Sequence, residues 1–143
     1  MSFFSDPVSN LTKVAVLTGY DSAATSVVLS SGKGANLPDP SMAGCFNLVW
    51  YNSTDYKDPA DDPYVEIVRC TARVTDTLVL TRAQEGTSAV NHNIIGKTYT
   101  MKMAVTAKII TDLRNIILKD IANHYWQLSV DTGGSLITTD LGV

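Results

Sequence analysis

Apolar and polar residues alternate with a period of two over several short stretches, and this alternation sets the expected architecture. In residues 46–51, Phe46, Leu48 and Trp50 fall on one face of an extended segment and Asn47, Val49 and Tyr51 on the other, which predicts a strand with a buried face. Residues 14–17 and 25–30 are short β-branched runs separated by the turn-forming Thr18-Gly19-Tyr20-Asp21-Ser22, and read as strand, turn and strand. Residues 31–40 hold two glycines and two prolines and form a loop. Strand chemistry resumes at 64–71, where Val65, Ile67 and the pair Arg69/Thr71 oppose Glu66, Val68 and Cys70, a mixture suggesting a strand near the end of a sheet. A turn at Thr75-Asp76 and the return at 77–81 predict a hairpin, and 98–103, with Tyr99, Met101 and Met103 on one side, the last strand of the main sheet.

After Val105 the period changes. Ile109, Ile110, Leu113, Ile116, Ile117 and Ile121 recur at spacings of three and four, predicting an amphipathic helix of about five to six turns with Thr106 as its N-cap. Its apolar stripe is wider than a coiled-coil seam, and Ile110 and Ile117 beside Leu113 lean toward a three-stranded association; the alternative is a helix packed on its own sheet. Beyond it Trp126, Leu128 and Val130 alternate, Asp131-Thr132-Gly133-Gly134 turns, and 135–139 returns, a hairpin that is marginal by itself and must pack on something. The expected fold is therefore mainly β. A small antiparallel β-sandwich or barrel-like domain (1–103) is followed by one amphipathic oligomerisation helix (104–124) and a terminal β-hairpin arm (125–143). The expected assembly residues are Ile109, Ile110, Leu113, Ile116, Ile117 and Ile121 on the helix, with Trp126 and Leu128 anchoring the arm of a homo-oligomer, a trimer.

The length of 143 residues suffices for one core without disulfides or structural metal. Lys and Arg number 11 against 14 Asp and Glu, a net charge of -3 with no block of like charges, which removes the main electrostatic term for nucleic-acid binding. No apolar run approaches the roughly 20 residues of a spanning helix, so membrane insertion is not expected. The first ten residues lack a signal-peptide pattern. Cys45 and Cys70 are expected to be buried thiols.

Residue patterns that carry chemistry are few. The loop 52–63 holds Asp55, Asp58, Asp61 and Asp62, a donor set that hard cations favour, but its spacing lacks the glycine and terminal glutamate of an EF-hand, and capping of backbone groups is the alternative reading. His92, in a polar loop, and His124, near the expected helix end where the dipole favours positive charge, lie too far apart for a zinc pattern. Nucleophile-elbow, phosphate-loop and dinucleotide patterns are absent, leaving no catalytic or cofactor candidate. Tyr51, Tyr56 and Tyr64 beside the aspartates raise glycan stacking as one reading, against plain strand and turn packing.

In 81–89, Gly86 can supply a positive φ, Arg82 and Glu85 can pair across the turn, and Gln84 can satisfy exposed backbone groups. This stretch also carries a resemblance. Gly34-Ala35-Asn36-Leu37-Pro38, Glu66-Ile67-Val68-Arg69, Leu80-Thr81-Arg82-Ala83-Gln84-Glu85-Gly86-Thr87 and Thr106-Ala107-Lys108-Ile109-Ile110-Thr111-Asp112 together resemble a domain of bacteriophage virion structural proteins, among them tail-fibre, baseplate and fibre-like components. The similarity spans about residues 27–113, with Cys70 where a β-branched or small residue is expected. It implies a β-rich, non-enzymatic module that assembles or attaches a virion appendage, typically as a trimer in contact with other virion proteins. The chain would be made in the host cytoplasm and located in the virion. The lack of a long shaft or tip after these segments favours a structural, adaptor or decoration component over direct host adhesion. A capsid decoration or head-fibre protein is the first alternative and a host glycan-binding module the second.

Overall fold

Antiparallel pairing organises the computed structural model, which describes residues 6–10, 12–113 and 116–142, apart from the side chains of residues 112, 113, 116 and 117. Strands β1 (Lys13–Ala15), β2 (Ser26–Val28), β3 (Phe46–Asn52), β4 (Glu66–Val74), β5 (Thr77–Thr81) and β6 (Tyr99–Lys102) form one six-stranded sheet in the order β1-β6-β3-β4-β5-β2. The sheet curls until its edges meet. Val16 and Leu29, just past β1 and β2, form an antiparallel bridge, the Leu17 N–H donates to the Val28 carbonyl at 2.9 Å, and the Ser30 N–H to the Ala15 carbonyl at 2.8 Å. Backbone groups that an open sheet would present along its edges are thereby paired at this point.

The period of two places the core. Phe46, Leu48 and Trp50 of β3 lie opposite Cys70, Val68 and Glu66 of β4, so these six share the inner face. Val14, Val27, Leu48, Trp50, Val68, Cys70, Leu78 and Met101 are wholly buried. The outer face of β3 is covered as well, since Asn47 and Tyr51 are also buried. β4 is an interior strand, flanked by β3 and β5, and corrects the expectation of a sheet-end strand. Its mixed polarity arises because Glu66 enters a buried ion pair and Arg69 a partly buried one. Both cysteines are free thiols; Cys70 is buried and Cys45 half-buried, and burial, then the charge of Cys45, pushes the Cys70 thiol up to about 11.

Aspartates fix the connections. Asp39 and Asp58 each precede a proline and cap the turn that follows: the Asp39 Oδ1 accepts the Ser41 N–H at 2.9 Å at the start of α1 (Pro40–Ala43), and the Asp58 Oδ1 accepts the Ala60 N–H at 2.9 Å. At the β4–β5 turn the Asp76 carboxylate accepts the N–H groups of Gly32 (2.8 Å) and Gly34 (2.7 Å), seating the 31–40 loop on the hairpin tip. A Cβ at Gly34 would stand 1.9 Å from the Thr75 carbonyl oxygen, so no larger residue fits without moving the backbone.

From Val105 onward the chain forms a second unit. It contains α2 (Ala107–Leu113) and the strands β7 (Ile116–Lys119), β8 (Tyr125–Val130) and β9 (Leu136–Gly142), paired antiparallel in the order β7-β8-β9. The helix expected over 104–124 is thus corrected to about two turns, with Ile116 and Ile117 in a strand and Ile121 in a turn. Two features explain the difference. Ile-Ile-Leu at 116–118 suits a strand as well as a helix stripe. The Asp120 Oδ1 accepts the N–H groups of Ala122 (2.8 Å) and His124 (2.9 Å) while Asn123 takes a positive φ of 64°, a turn that breaks the helix. His124 therefore lies in the turn just before β8 and not at a helix terminus, and the buried Thr106 hydroxyl oxygen has no hydrogen-bond partner among the described residues, so it does not cap α2. Among the described residues no helix is long and apolar enough to cross a membrane.

Candidate functional site

The 81–92 segment is built around a buried carboxylate. Glu66, fully buried on the inner face of β4, holds Arg82 in a two-pronged ion pair, Nε to Oε1 at 2.8 Å and Nη2 to Oε2 at 2.6 Å. The same carboxylate accepts the Ala83 N–H at 2.9 Å and the Val90 N–H at 3.2 Å, so it ties both ends of the loop to the strand. Arg82 spends its other donors on the carbonyls of Asp21, Ala24 and Val90. Its guanidinium lies 4.8 Å from the Trp50 ring centre, and His92 stacks on the same ring at 4.1 Å. The His92 Nε2 lies 3.3 Å from the Glu66 Oε2, outside hydrogen-bond alignment. Burial raises the Glu66 pKa, but the His92 ring, the Arg82 guanidinium and the two backbone N–H groups outweigh it and bring it down to about 2.

Arg82 and Glu85 do not pair across the turn as expected. Arg82 turns inward to Glu66, and Glu85 accepts the Asn47 amide at 2.6 Å. Gln84 donates its amide to the Arg82 carbonyl (2.8 Å), and Gly86 has φ 81°. Ala83 and Glu85 also adopt positive φ, of 56° and 51°, a strained winding held by the Gln84 N–H on the Ile67 carbonyl (2.8 Å) and by Thr87, whose Oγ1 accepts the Ile67 N–H at 3.0 Å. On the outer face a second chain of polar contacts runs Asp6, Arg69, Asn47, Glu85: Arg69 grips both Asp6 oxygens at 2.7 and 2.9 Å and the Asn47 oxygen at 3.0 Å. The Glu66 network is buried and the outer one partly exposed, and the number of contacts in each suits it to rigidity.

The aspartate loop ends at a cavity. Residues including Asn52, Asp55, Tyr56, Tyr64, Asn91 and Tyr99 line a space of about 100 Å³, and a groove of about 480 Å³ shares Tyr64 and Asn91 with it. Of the three tyrosines considered for stacking, Tyr56 and Tyr64 reach the cavity, and Tyr51 is buried in the sheet. Asp62 accepts the N–H groups of Asn52 and Tyr64, both at 2.8 Å, and Asp55 holds Lys97 and the Asn52 amide. These contacts, with Lys97 first, hold the Asp55 carboxyl below its ordinary range. Among the described residues no three His, Cys, Asp or Glu side chains converge as a metal site. Glu66, Arg82, Asn91 and His92 were not legible as a cluster from sequence, because their contacts join segments far apart in the chain.

The expected assembly residues lie in the second unit. Ile109 is buried, Ile110 half exposed and Ile121 fully exposed; the side chains of Leu113, Ile116 and Ile117 lie outside the described residues. Trp126 and Leu128 share one face of β8. Register adds Leu118, opposite Trp126, and Leu136, opposite Val130, to that face. Leu118, Val130 and Leu136 are 49%, 61% and 69% exposed, and no described residue of β8 or β9 is buried. The Trp126 indole N–H donates to Asp120 at 3.1 Å, which fixes the ring over the β7–β8 turn. Among the described residues this face is partly exposed, apolar along β8 and at Leu118 and Leu136, with Thr138 and Asp140 of β9 opposite Leu128 and Trp126.

No protein-family model matches this chain, and no curated protein matches it significantly.

Proposed function

We propose that this chain is a non-enzymatic structural protein of a bacteriophage virion, a tail or fibre-like component that assembles as a homo-oligomer, a trimer, through its C-terminal unit. The observation carrying the assembly reading is the apolar patch of exposed Leu118, Val130 and Leu136 around the half-buried Trp126 and Leu128. A unit of fewer than about 40 residues rarely supplies its own core, and a small sheet needs a layer against its apolar face. Copies of the same chain can provide that layer at little cost in charge, since 125–142 carries only Asp131 and Asp140, of which Asp140, opposite Trp126, lies on this face. The virion assignment is supported by the four segments that resemble phage structural proteins. Two of them fall where the fold admits little substitution, at Gly34 against the Thr75 carbonyl and in the 81–87 loop around Glu66.

Native mass spectrometry of the full chain, from micromolar concentration upward, tests assembly: a trimer is expected, and a monomer throughout the range would end this reading. Gold-labelled antibody on intact phage particles tests location. Label at the tail or its fibres is expected, whereas label spread over the head would move the chain to capsid decoration.

A further inference from the structure

We propose that the cavity beside the aspartate loop, at one end of the six-stranded sheet, binds an uncharged saccharide. The groups around it have hydrogen-bonding capacity left over. The hydroxyls of Tyr56 and Tyr64 have no partner among the described residues, and Asn91 uses its Oδ1 on the Ser22 N–H (2.7 Å) while its amide N–H groups are unengaged. Tyr99 accepts the Ile94 N–H at 3.3 Å and keeps its own O–H to donate. His92, 1% exposed, lines the same cavity with its Nε2 turned to the Glu66 Oε2 at 3.3 Å, so it contributes ring surface and not a free donor. Donors and acceptors thus surround a space of about 100 Å³ that takes hydroxyl groups of a ring seated in the adjoining groove of about 480 Å³.

The class of ligand follows from charge and shape. Asp55 and Asp62 disfavour phosphates and acidic sugars. Their oxygens are committed to Lys97, Asn52 and Tyr64, so they are not assembled to receive a cation. The Tyr64 ring is 65% exposed and stands where the cavity meets the larger groove, offering the flat apolar surface against which the C–H face of a pyranose packs. The floor is preorganised, because His92 is stacked on Trp50 and meets Tyr99 edge to face at 5.1 Å, so binding orders few side chains.

Saturation-transfer NMR on the full chain, with methyl glycosides of glucose, galactose, mannose, rhamnose and the two common N-acetylhexosamines at millimolar concentration, tests this. N-acetylneuraminic acid and inorganic phosphate serve as the anionic arm. Saturable binding of at least one neutral sugar is expected, weakened roughly tenfold by Tyr64→Ala and less by Tyr56→Phe, with unchanged thermal midpoints. Absence of neutral-sugar binding, preference for the anionic arm, or binding indifferent to both substitutions would overturn the assignment. The site lies wholly within Asp6–Ala104, so its failure would leave the assembly reading intact, and native mass would report on that separately.

Discussion

The six-stranded sheet and the three-stranded sheet are written in similar alternating patterns, yet one closes on itself and the other does not. In the first, the Val16–Leu29 bridge joins the edges and the inner face is filled by side chains from all six strands. In the second, β7 and β9 pair only with β8 among the described residues, and the face bearing Trp126 stays partly exposed. Alternation specifies that a segment extends and that one face is apolar. What covers that face is decided by strand number and closure, and three strands cannot wrap around a core.

That contrast can be broken most forcefully at Glu66. Glu66→Ala strands the Arg82 guanidinium in a buried site and frees both ends of the 81–92 loop, so urea unfolding should register a loss of about 3–5 kcal/mol. Acid reaches the same group more gently. The unfolded chain protonates Glu66 near its ordinary 4.5 and the folded chain near about 2. The associated stability is present at neutral pH and drains as pH falls through this interval, a loss of about 3 kcal/mol. Denaturation series between pH 6 and 2 should show that slope, and Glu66→Gln should flatten it. Gly34→Ala, forced against the Thr75 carbonyl, should cost about 1–3 kcal/mol by the same assay. Leu136→Asp should sit at the other extreme, shifting the unfolding of the first unit by less than about 0.5 kcal/mol. Light scattering should nevertheless find its oligomer dissociated, and an oligomer surviving Leu136→Asp would place the contact elsewhere.

Local signals were legible where a single period or a turn residue decided the outcome. The β3 alternation, the Thr75-Asp76 turn and the final strand around Met101 all belong to this class. Two readings failed because one pattern had two solutions. The isoleucines from 109 to 121 satisfy a helical spacing and also contain the β-branched run of β7, and the Asp120–Asn123 turn, which decides between them, is written in residues common in loops. The polar residues of β4 read as a sheet-end signature because their partners, Asp6 and Arg82, lie elsewhere in the chain. The cavity was half visible: Tyr56 and Tyr64 sit beside the aspartates in sequence, whereas Asn91 and His92 arrive only through the pairing of Tyr20 with His92.

The pairing of β1 with β6, in which Val14 lies opposite Met101, has a consequence for synthesis. Such a long-range contact makes for slow folding, and the nascent chain cannot complete the large sheet until residues 99–102 have left the ribosome. The three-stranded sheet is translated directly afterwards. Under the proposed assembly, each copy would have its own long-range pairings available before it exposes the proposed contact surface, an order of events that disfavours entanglement of unfinished chains.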